Sequence, residues 1–349
     1  MTNPQHGPHL ASHITKPTLG SDNTLHVVAM VSNPARYHSR YRLFRNWQKE
    51  MEATPYVKVY VVEVAFGDRQ FEVTDPNNKQ HLQLRVNQEL WHKENAINRG
   101  VIHLLPSDWK YLCWCDGDIH FRNSEWAQEA LHQLQHFPLI QPWHTAADLG
   151  FEGNITSVID SFCSVNRTGR SKQVAGTGYI RPAYGHPGYA WCCTRKFYEN
   201  VGGLIDFAIL GAGDNHMAWG SINSVESSMP KTTSPVYIAK CKEWQHNAYR
   251  VTNGHLGYVA GTIEHNFHGS KKKRFYHQRW QLLERNKYNP VTNLMYDDQG
   301  MVVLINNPKL EDDIRRYMRA RHEDSIDDED DNSGLDFNNG PHTNGVTQN

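Results

Sequence analysis

The stretch YLCWCDGDIHFR, residues 111–122, decides the fold. Its apolar half, Leu112 to Cys115, predicts a short buried β-strand, and two carboxylates, Asp116 and Asp118, follow at once on either side of Gly117. In open α/β sheets, ligands bind beyond the carboxyl ends of the strands. Carboxylates at that place can hold a divalent metal ion that keeps coordination positions open for phosphate oxygens. A surface turn is the alternative, because Asp-Gly is a common turn dipeptide.

The sequence around this stretch alternates strand and helix patterns. We predict strands at 26–32, 57–66, 83–86 and 111–115, and helices at 40–51, 89–105 and 124–136. The order β-α-β-β-α-β-α over residues 26–136 predicts an α/β fold, in which a mixed but mostly parallel, Rossmann-related sheet carries helices on both faces.

The second half of the chain is less regular. Residues 150–185 are rich in Gly, Ser and Thr, which predicts a long functional loop or lid. Ordered patterns then resume. We predict strands at 189–193, 235–239 and 262–267, and helices at 195–201, 275–285 and 311–321, with a further helix after the strand within 231–250.

Charge is distributed unevenly along the chain. The formal net charge is −1, but eight acidic residues and no Lys or Arg follow from Glu323 onward, which leaves 36 basic against 29 acidic residues before it. We therefore predict disordered tails at 1–24 and 323–349 around one domain at 25–322. The acidic tail is interpreted as a solubilising end. A second hypothesis is that it folds back over a basic groove and competes with an anionic ligand.

We expect neither a secretory signal nor a membrane span from this sequence. The N-terminus lacks the apolar core of a secretory signal, and no run of about 18 apolar residues predicts a membrane span. The six cysteines have neither zinc-finger spacing nor partners suited to a disulfide, which favours a reducing compartment. We expect a cytoplasmic protein. A viral protein in the cytoplasm of its host also fits this expectation.

A glycine-rich turn precedes another candidate catalytic group. Residues Gly211, Ala212 and Gly213 present Asp214 at the start of a predicted short helix. A carboxylate there can take a proton from a hydroxyl group as a general base. The alternative is that Asp214 only caps the helix.

Histidines and cations follow one of the later predicted strands. His265 and His268 precede the basic run that contains Lys271, Lys272 and Arg274, a pattern that suits a metal ligand beside a diphosphate. A solvated basic loop is the alternative.

Two further segments offer polar groups for a nucleotide. Ser32, Asn33 and Arg36 follow the first strand, where a base or ribose would lie. Lys93 and Asn98 lie on the predicted helix that begins near residue 89, and they could line the same pocket. An ordinary amphipathic helix explains that segment equally well.

Taken in order, these motifs resemble glycosyltransferases of the GT-A fold, close to the glycosyltransferase family 2 type, over about residues 26–285. The resemblance implies that Asp116 and Asp118 bind Mn²⁺ or Mg²⁺ on a nucleotide-sugar diphosphate, that His268, or else His265, is a further metal ligand, and that Asp214 is the base of an inverting transfer. It also implies a nucleotide-sugar half at about 25–145 and an acceptor half at about 146–290. The sequence departs from the family where some members have two consecutive carboxylates, because Asp214 is followed by Asn215.

The expected function is therefore metal-dependent transfer of a sugar from a nucleotide-sugar, a UDP-sugar in the first place, to an acceptor hydroxyl. The acceptor is a glycan, a small molecule or a hydroxylated base in viral DNA. A nucleotidyltransferase is one alternative, but it would be expected to have a glycine-rich loop after the first strand, and residues 32–40 contain no glycine. A non-catalytic protein that binds nucleotide-sugars or glycans is the other.

Overall fold

A computed structural model gives the architecture of the chain. It describes residues 23–169, 171–173, 180–182, 184–269, 274–275 and 278–325. The helices are α1 (His38–Ala53), α2 (Lys93–Leu104), α3 (Trp126–Gln133), α4 (Phe162–Thr168), α5 (Arg195–Val201), α6 (Gly213–Ser221), α7 (Pro235–Thr252), α8 (Gln278–Arg285) and α9 (Pro308–Arg319), with a 3₁₀ turn at Val225–Ser228. The strands are β1 (Leu25–Ser32), β2 (Val57–Phe66), β3 (His81–Val86), β4 (Tyr111–Cys115), β5 (Ile119–Phe121), β6 (Leu139–Gln141), β7 (Thr145–Leu149), β8 (Ile155–Asp160), β9 (Ser171–Gln173), β10 (Ile180–Pro182), β11 (Ala190–Thr194), β12 (Gly257–Tyr258), β13 (Thr262–His265), β14 (Leu294–Tyr296) and β15 (Val302–Leu304).

The main sheet has seven strands in the order β12-β6-β11-β4-β1-β2-β3. Strand β1 runs parallel to β2 and β4, and β2 runs parallel to β3, whereas β11 is antiparallel to β4 and β6. Buried parallel strands are continuously apolar because both of their faces are covered. The predicted α/β class with a mostly parallel sheet is confirmed.

Helices cover both faces of this sheet. Val27 and Val28 are neighbours on β1, yet they belong to separate apolar clusters, because successive side chains of a strand point to opposite faces. Trp47 of α1 packs in the cluster with Val27, and Ile97 of α2 packs in the cluster with Val28. The carboxyl ends of β1 and β4 are left uncovered between the two helices.

A second sheet, with the order β5-β13-β7-β8, lies beyond the end of β4. Strand β13 pairs antiparallel to β5, with His265 opposite Ile119, and parallel to β7, with His265 aligned with Asp148. This small sheet therefore brings residues from three distant parts of the chain next to Asp118.

The structure corrects the prediction of a strand at 235–239. These residues begin α7, because Pro235 suits the first turn of a helix and Ser234 accepts a hydrogen bond from Tyr237 N. Buried residues recur at helical spacing, as in Cys241 and Trp244. The β-prone side chains of this segment are outweighed by its capping residues and by tertiary packing.

The predicted loop at 150–185 also contains regular structure. It includes β8 and α4, and Ser161 caps α4 by accepting a hydrogen bond from Ser164 N at 3.1 Å. The predicted lid function stays a prediction. No helix in the described part of the chain is long and apolar enough to cross a bilayer.

Helix α2 lies very close to the main sheet, and Gly100 permits this contact. A Cβ atom at Gly100 would lie 2.7 Å from Val62 Cγ2 and 2.8 Å from Val28 Cγ1. We expect Gly100→Ala to lower the free energy of unfolding by about 1–3 kcal/mol, because overpacking of the core outweighs the helix propensity of alanine, which is worth about 1 kcal/mol. Urea denaturation followed by circular dichroism measures the change. Ile102→Ala, at an exposed position of the same helix, is the control, and an unchanged midpoint for Gly100→Ala would contradict the close contact.

Candidate active site and metal centre

A cavity of about 830 Å³ opens at the carboxyl ends of β1 and β4. This is the edge of the sheet at which the sequence predicts ligand binding. Its wall brings together carboxylates, histidines, cations and aromatic rings. The polar and aromatic residues of the wall include Ser32, Tyr37, Arg40, Trp91, Lys93, Asp116, Asp118, His186, Asp214, His265, His268, Arg274, Arg279, Trp280 and Arg321.

Three side chains converge as a possible metal site. Asp118, His265 and His268 each offer one ligand atom within 4.8 Å of the others. His268 Nε2 lies 3.1 Å from Asp118 Oδ2 and 3.2 Å from His265 Nε2. The predicted ligands Asp118, His268 and His265 are therefore adjacent in the fold, although 147 residues separate Asp118 from His265.

A buried carboxylate that the sequence analysis did not identify orients the first of these histidines. Asp148 Oδ1 lies 3.0 Å from His265 Nδ1, and Asp148 also accepts hydrogen bonds from Tyr189 Oη and Ser157 Oγ. An ionised carboxylate only accepts, so His265 carries its proton on Nδ1 and turns the lone pair of Nε2 toward Asp118. The sequence offers one sign of this role, which is an acid, Asp148, within the otherwise apolar segment TAADL at residues 145–149.

The electrostatics of these three residues suit a cation. Burial lowers the pKa of His265, more than Asp148 and Asp118 raise it, which favours the neutral ring that binds metal ions. Burial alone would raise the pKa of Asp118, but His268, His265 and Arg274 lower it well below its usual range. Asp118 Oδ1 is buried and has no hydrogen-bond partner among the described residues. The residues therefore fit a divalent ion.

Asp116, the carboxylate on the other side of Gly117, has a different environment. Asp116 forms an ion pair with Lys93 and does not join the three converging ligands. Burial opposes the charge of Lys93, but Asp116, Asp214 and Glu94 outweigh it and raise the pKa of the lysine. The assignment of Asp116 as a metal ligand stays a prediction. Its observed partner is a cation of the protein.

Asp214 lies in the first turn of α6 and lines the same cavity. The residue at the N-cap is Ala212, with a left-handed φ of 81°, so Asp214 is not the capping residue. Its Oδ1 accepts a hydrogen bond from Asn215 N at 2.7 Å. The capping alternative is therefore not supported, and the carboxylate remains at the wall of the cavity.

The segment after β1 contributes other residues to the cavity wall than those predicted. Ser32 lines the cavity, but Asn33 is buried and uses its amide to bind the backbone of Tyr37. Arg36 is exposed and does not line the cavity. Arg40, in the first turn of α1, lines the cavity instead. Asn33 and Arg36 are thus corrected, because the amide of Asn33 is bonded within its own turn and Arg36 is exposed to solvent.

Asn98 is also corrected. Its side chain accepts hydrogen bonds from Leu204 N and Tyr198 Oη and donates one to Leu204 O, so it fixes the loop after α5 and lies away from the cavity. Of the predicted basic run, Arg274 lines the cavity and its Nη2 lies 2.9 Å from His268 Nε2. Lys271 and Lys272 lie outside the described residues.

The predicted boundary of the acidic tail is wrong at Glu323. Its side chain is 3% exposed and pairs with Arg40, and Asp324 accepts hydrogen bonds from the first backbone N–H groups of α1. The folded domain therefore includes both acids. The charge density of the tail alone gave no sign that Arg40, 283 positions earlier in the chain, would pair with Glu323.

Comparison with known proteins gives matches among solved structures alone. No protein-family model matches the chain, and no curated protein sequence matches it. Residues 1–349 of S. aureus TarS in complex with UDP-GlcNAc are 10% identical, with a TM-score of 0.39 over 86% of this chain and 72% of that chain. A variant of Drosophila β1,4-galactosyltransferase 7 with manganese, UDP-Gal and xylobiose is 11% identical, with a TM-score of 0.35 over 83% of this chain and 99% of that chain. At these identities and TM-scores, the function has to be inferred from the site itself.

Glu94 is a buried acid directly behind the cavity. It is 4% exposed, it accepts a hydrogen bond from Trp91 Nε1, and the start of α6 at Gly213 lies against it. Burial raises its pKa from 4.5 to about 7. Lys93 opposes this shift and Asp214 adds to it. The protonated form therefore predominates in the folded protein at mildly acidic pH.

This pKa predicts a pH-dependent stability. Because the folded-state pKa lies above the ordinary value of 4.5, the contribution of Glu94 to stability is complete below pH 4.5 and is lost as the pH rises through about 7. Glu94→Gln should therefore raise the melting temperature more at pH 8 than at pH 5. Thermal unfolding at both pH values checks this, with Glu243→Gln on the exposed side of α7 as the control. An equal effect of Glu94→Gln at the two pH values would refute the raised pKa.

Proposed function

We propose that this chain is a metal-dependent glycosyltransferase of the GT-A type, which moves a sugar from a nucleotide-sugar to an acceptor hydroxyl with inversion. One observation carries the proposal. A single cavity at the carboxyl ends of β1 and β4 combines a ligand set for a divalent ion with several cations and a separate carboxylate, Asp214. Each group matches one requirement of glycosyl transfer.

The first requirement is charge stabilisation at the leaving diphosphate. A divalent ion held by Asp118, His265 and His268 would supply Lewis-acid stabilisation of that charge. Two imidazoles and one carboxylate suit Mn²⁺ better than Mg²⁺, since Mg²⁺ prefers oxygen ligands. The guanidinium groups of Arg40 and Arg274 line the same wall and would pair with phosphate oxygens.

The second requirement is a base for the acceptor. Asp214 would accept the proton of the attacking hydroxyl, on the side of the sugar opposite to the leaving group. Lys93 forms an ion pair with Asp116 and lines the same cavity as Asp214. We assign Lys93 to compensating the charge of Asp116 beside the metal site.

The donor is proposed to be a UDP-sugar, and the acceptor a glycan, a small molecule or a hydroxylated DNA base. Thermal shift with a panel of UDP-sugars, with and without Mn²⁺, tests the donor assignment without an acceptor. A ligand at 100 times its dissociation constant stabilises the folded state by about 2.7 kcal/mol. We expect that a UDP-sugar stabilises the protein only when Mn²⁺ is present, beyond any stabilisation by Mn²⁺ alone. Stabilisation by nucleoside triphosphates alone, with release of diphosphate on turnover, would favour a nucleotidyltransferase instead.

Asp118 is predicted to carry the metal dependence. Asp118→Asn should weaken Mn²⁺ binding by at least about 100-fold, because the change removes a charged ligand, whereas loss of an outer-shell partner alone costs roughly 10–100-fold. Isothermal titration calorimetry measures the affinity. Asp68→Asn at an exposed position is the matched control. Unaltered Mn²⁺ binding by Asp118→Asn would rule out the proposed site.

Asp214 is predicted to act on the acceptor and not on the donor. Asp214→Asn should lower turnover by about 10²-fold or more, in line with the loss of a general base, and leave the affinity for the donor unchanged. Release of UDP in the presence of acceptor and donor binding by calorimetry are measured on the same sample. Glu226→Gln, an exposed acid outside the cavity, is the control. A collapse of donor affinity together with turnover would assign Asp214 to donor binding.

A further inference from the structure

The chain returns to the metal site after α9. Arg321 lines the cavity, and Glu323 follows it with a side chain that is 3% exposed. This segment lies beyond the motifs that predicted the site, which end near residue 285. The contacts of this segment connect it to the part of the cavity wall that is proposed to bind the nucleotide-sugar, here called the donor side.

The carboxylate of Glu323 contacts three side chains of the cavity wall. It accepts hydrogen bonds from Arg40 Nε at 2.5 Å and Arg40 Nη2 at 2.6 Å, and its Oε1 lies 2.8 Å from Arg321 Nε. Its Oε2 lies 3.8 Å from His268 Nδ1. The two arginines and His268, a proposed metal ligand, therefore all face the same buried carboxylate.

The backbone around Glu323 is fixed from both sides. Asp324 accepts hydrogen bonds from His38 N at 2.6 Å and Ser39 N at 2.9 Å, which ties the segment to the start of α1. On the other side, a Cβ atom at Gly269 would lie 2.8 Å from Glu323 Cα. The loop that follows His268 and the segment around Glu323 are therefore in direct contact.

We propose that Glu323 is a positioning residue of the metal site, which sets the tautomer of His268 and holds Arg40 and Arg321 at the donor side of the cavity. The inference rests on the proposed function, because it takes His268 to be a metal ligand. A carboxylate facing Nδ1 favours the proton on that nitrogen. The lone pair of Nε2 then accepts from Arg274 Nη2 at 2.9 Å, and it could bind a metal ion held beside Asp118, as Nε2 of His265 could.

The geometry distinguishes this role from general stabilisation of the fold. Asp324 is the neighbouring acid, and its described hydrogen bonds come from backbone N–H groups of α1 and not from a histidine ring. Both acids attach the C-terminal segment to the domain, but Glu323 alone of the two faces His268. Asp324→Asn is therefore a matched control for changes that act through attachment of the segment.

The test compares Glu323→Gln, Asp324→Asn and the unaltered full chain without any nucleotide. Outer-shell carboxylates typically contribute 10–100-fold to metal affinity. We expect Glu323→Gln to weaken Mn²⁺ binding by about 10-fold or more and Asp324→Asn to leave it unchanged, as measured by calorimetry. Long-range ¹H–¹⁵N spectra of the metal-free protein should show His268 protonated on Nδ1, with a shift toward the Nε2–H form in Glu323→Gln.

Each outcome has a separate meaning. Equal Mn²⁺ affinity and an unchanged His268 tautomer in a folded Glu323→Gln variant would overturn the role of Glu323 and leave the proposed function intact. Absence of Mn²⁺ binding by the unaltered chain would overturn the metal-dependent function, while the tautomer spectra still test the effect of Glu323 on His268. If Glu323→Gln does not fold, Glu323→Asp is the second variant. It retains the negative charge, but its shorter side chain places the carboxylate farther from His268. An unaltered His268 spectrum of that variant would refute the inference.

Discussion

The pairing of β13 with β5 and β7 is the constraint on which the site depends. It aligns His265 with Ile119 on one side and with Asp148 on the other. Hydrogen bonds from the backbone and side-chain amides of Asn266 to the carbonyl oxygen of Asp118 continue the contact. A shift of this pairing by one residue would turn His265 to the opposite face of the small sheet. The ligand geometry is therefore a property of strand register as much as of the side chains themselves.

Charge compensation is the second feature of the cavity. Glu323 faces Arg40, and Asp116 faces Lys93. A buried charge is costly unless it is paired, and removal of one partner leaves the other uncompensated. Most of the charged groups at the wall thus stabilise each other before any ligand arrives. A nucleotide diphosphate would enter a site whose cations are already held in place, which reduces the entropy lost on binding.

The sequence predicts those parts of the fold that depend on local pattern. The apolar runs of β1, β2 and β4 and the position of Asp118 at a strand end are visible without the structure. The segment at 235–239 was mispredicted because its β-prone side chains are outweighed by the cap at Ser234 and by the packing of α7. Asp148 and Glu323 could not be identified, because their roles depend on contacts between segments far apart in the chain. Arg36 and Arg40 illustrate the same limit, since the exact turn into α1 decides which arginine reaches the cavity.

The late return of the chain to the site has a consequence for biosynthesis. The partners Arg40 and Glu323 are 283 residues apart, so a ribosome that adds 5–20 residues per second needs roughly 15–60 s to make the second after the first. During that interval the early strands can already pair, because their contacts are closer in sequence. Once residue 268 has been made, the nascent protein contains Arg40 and His268 without the acid that faces both. A translation product that ends between residues 268 and 323 would contain the strands of the main sheet but would leave Arg40 without its buried counter-charge.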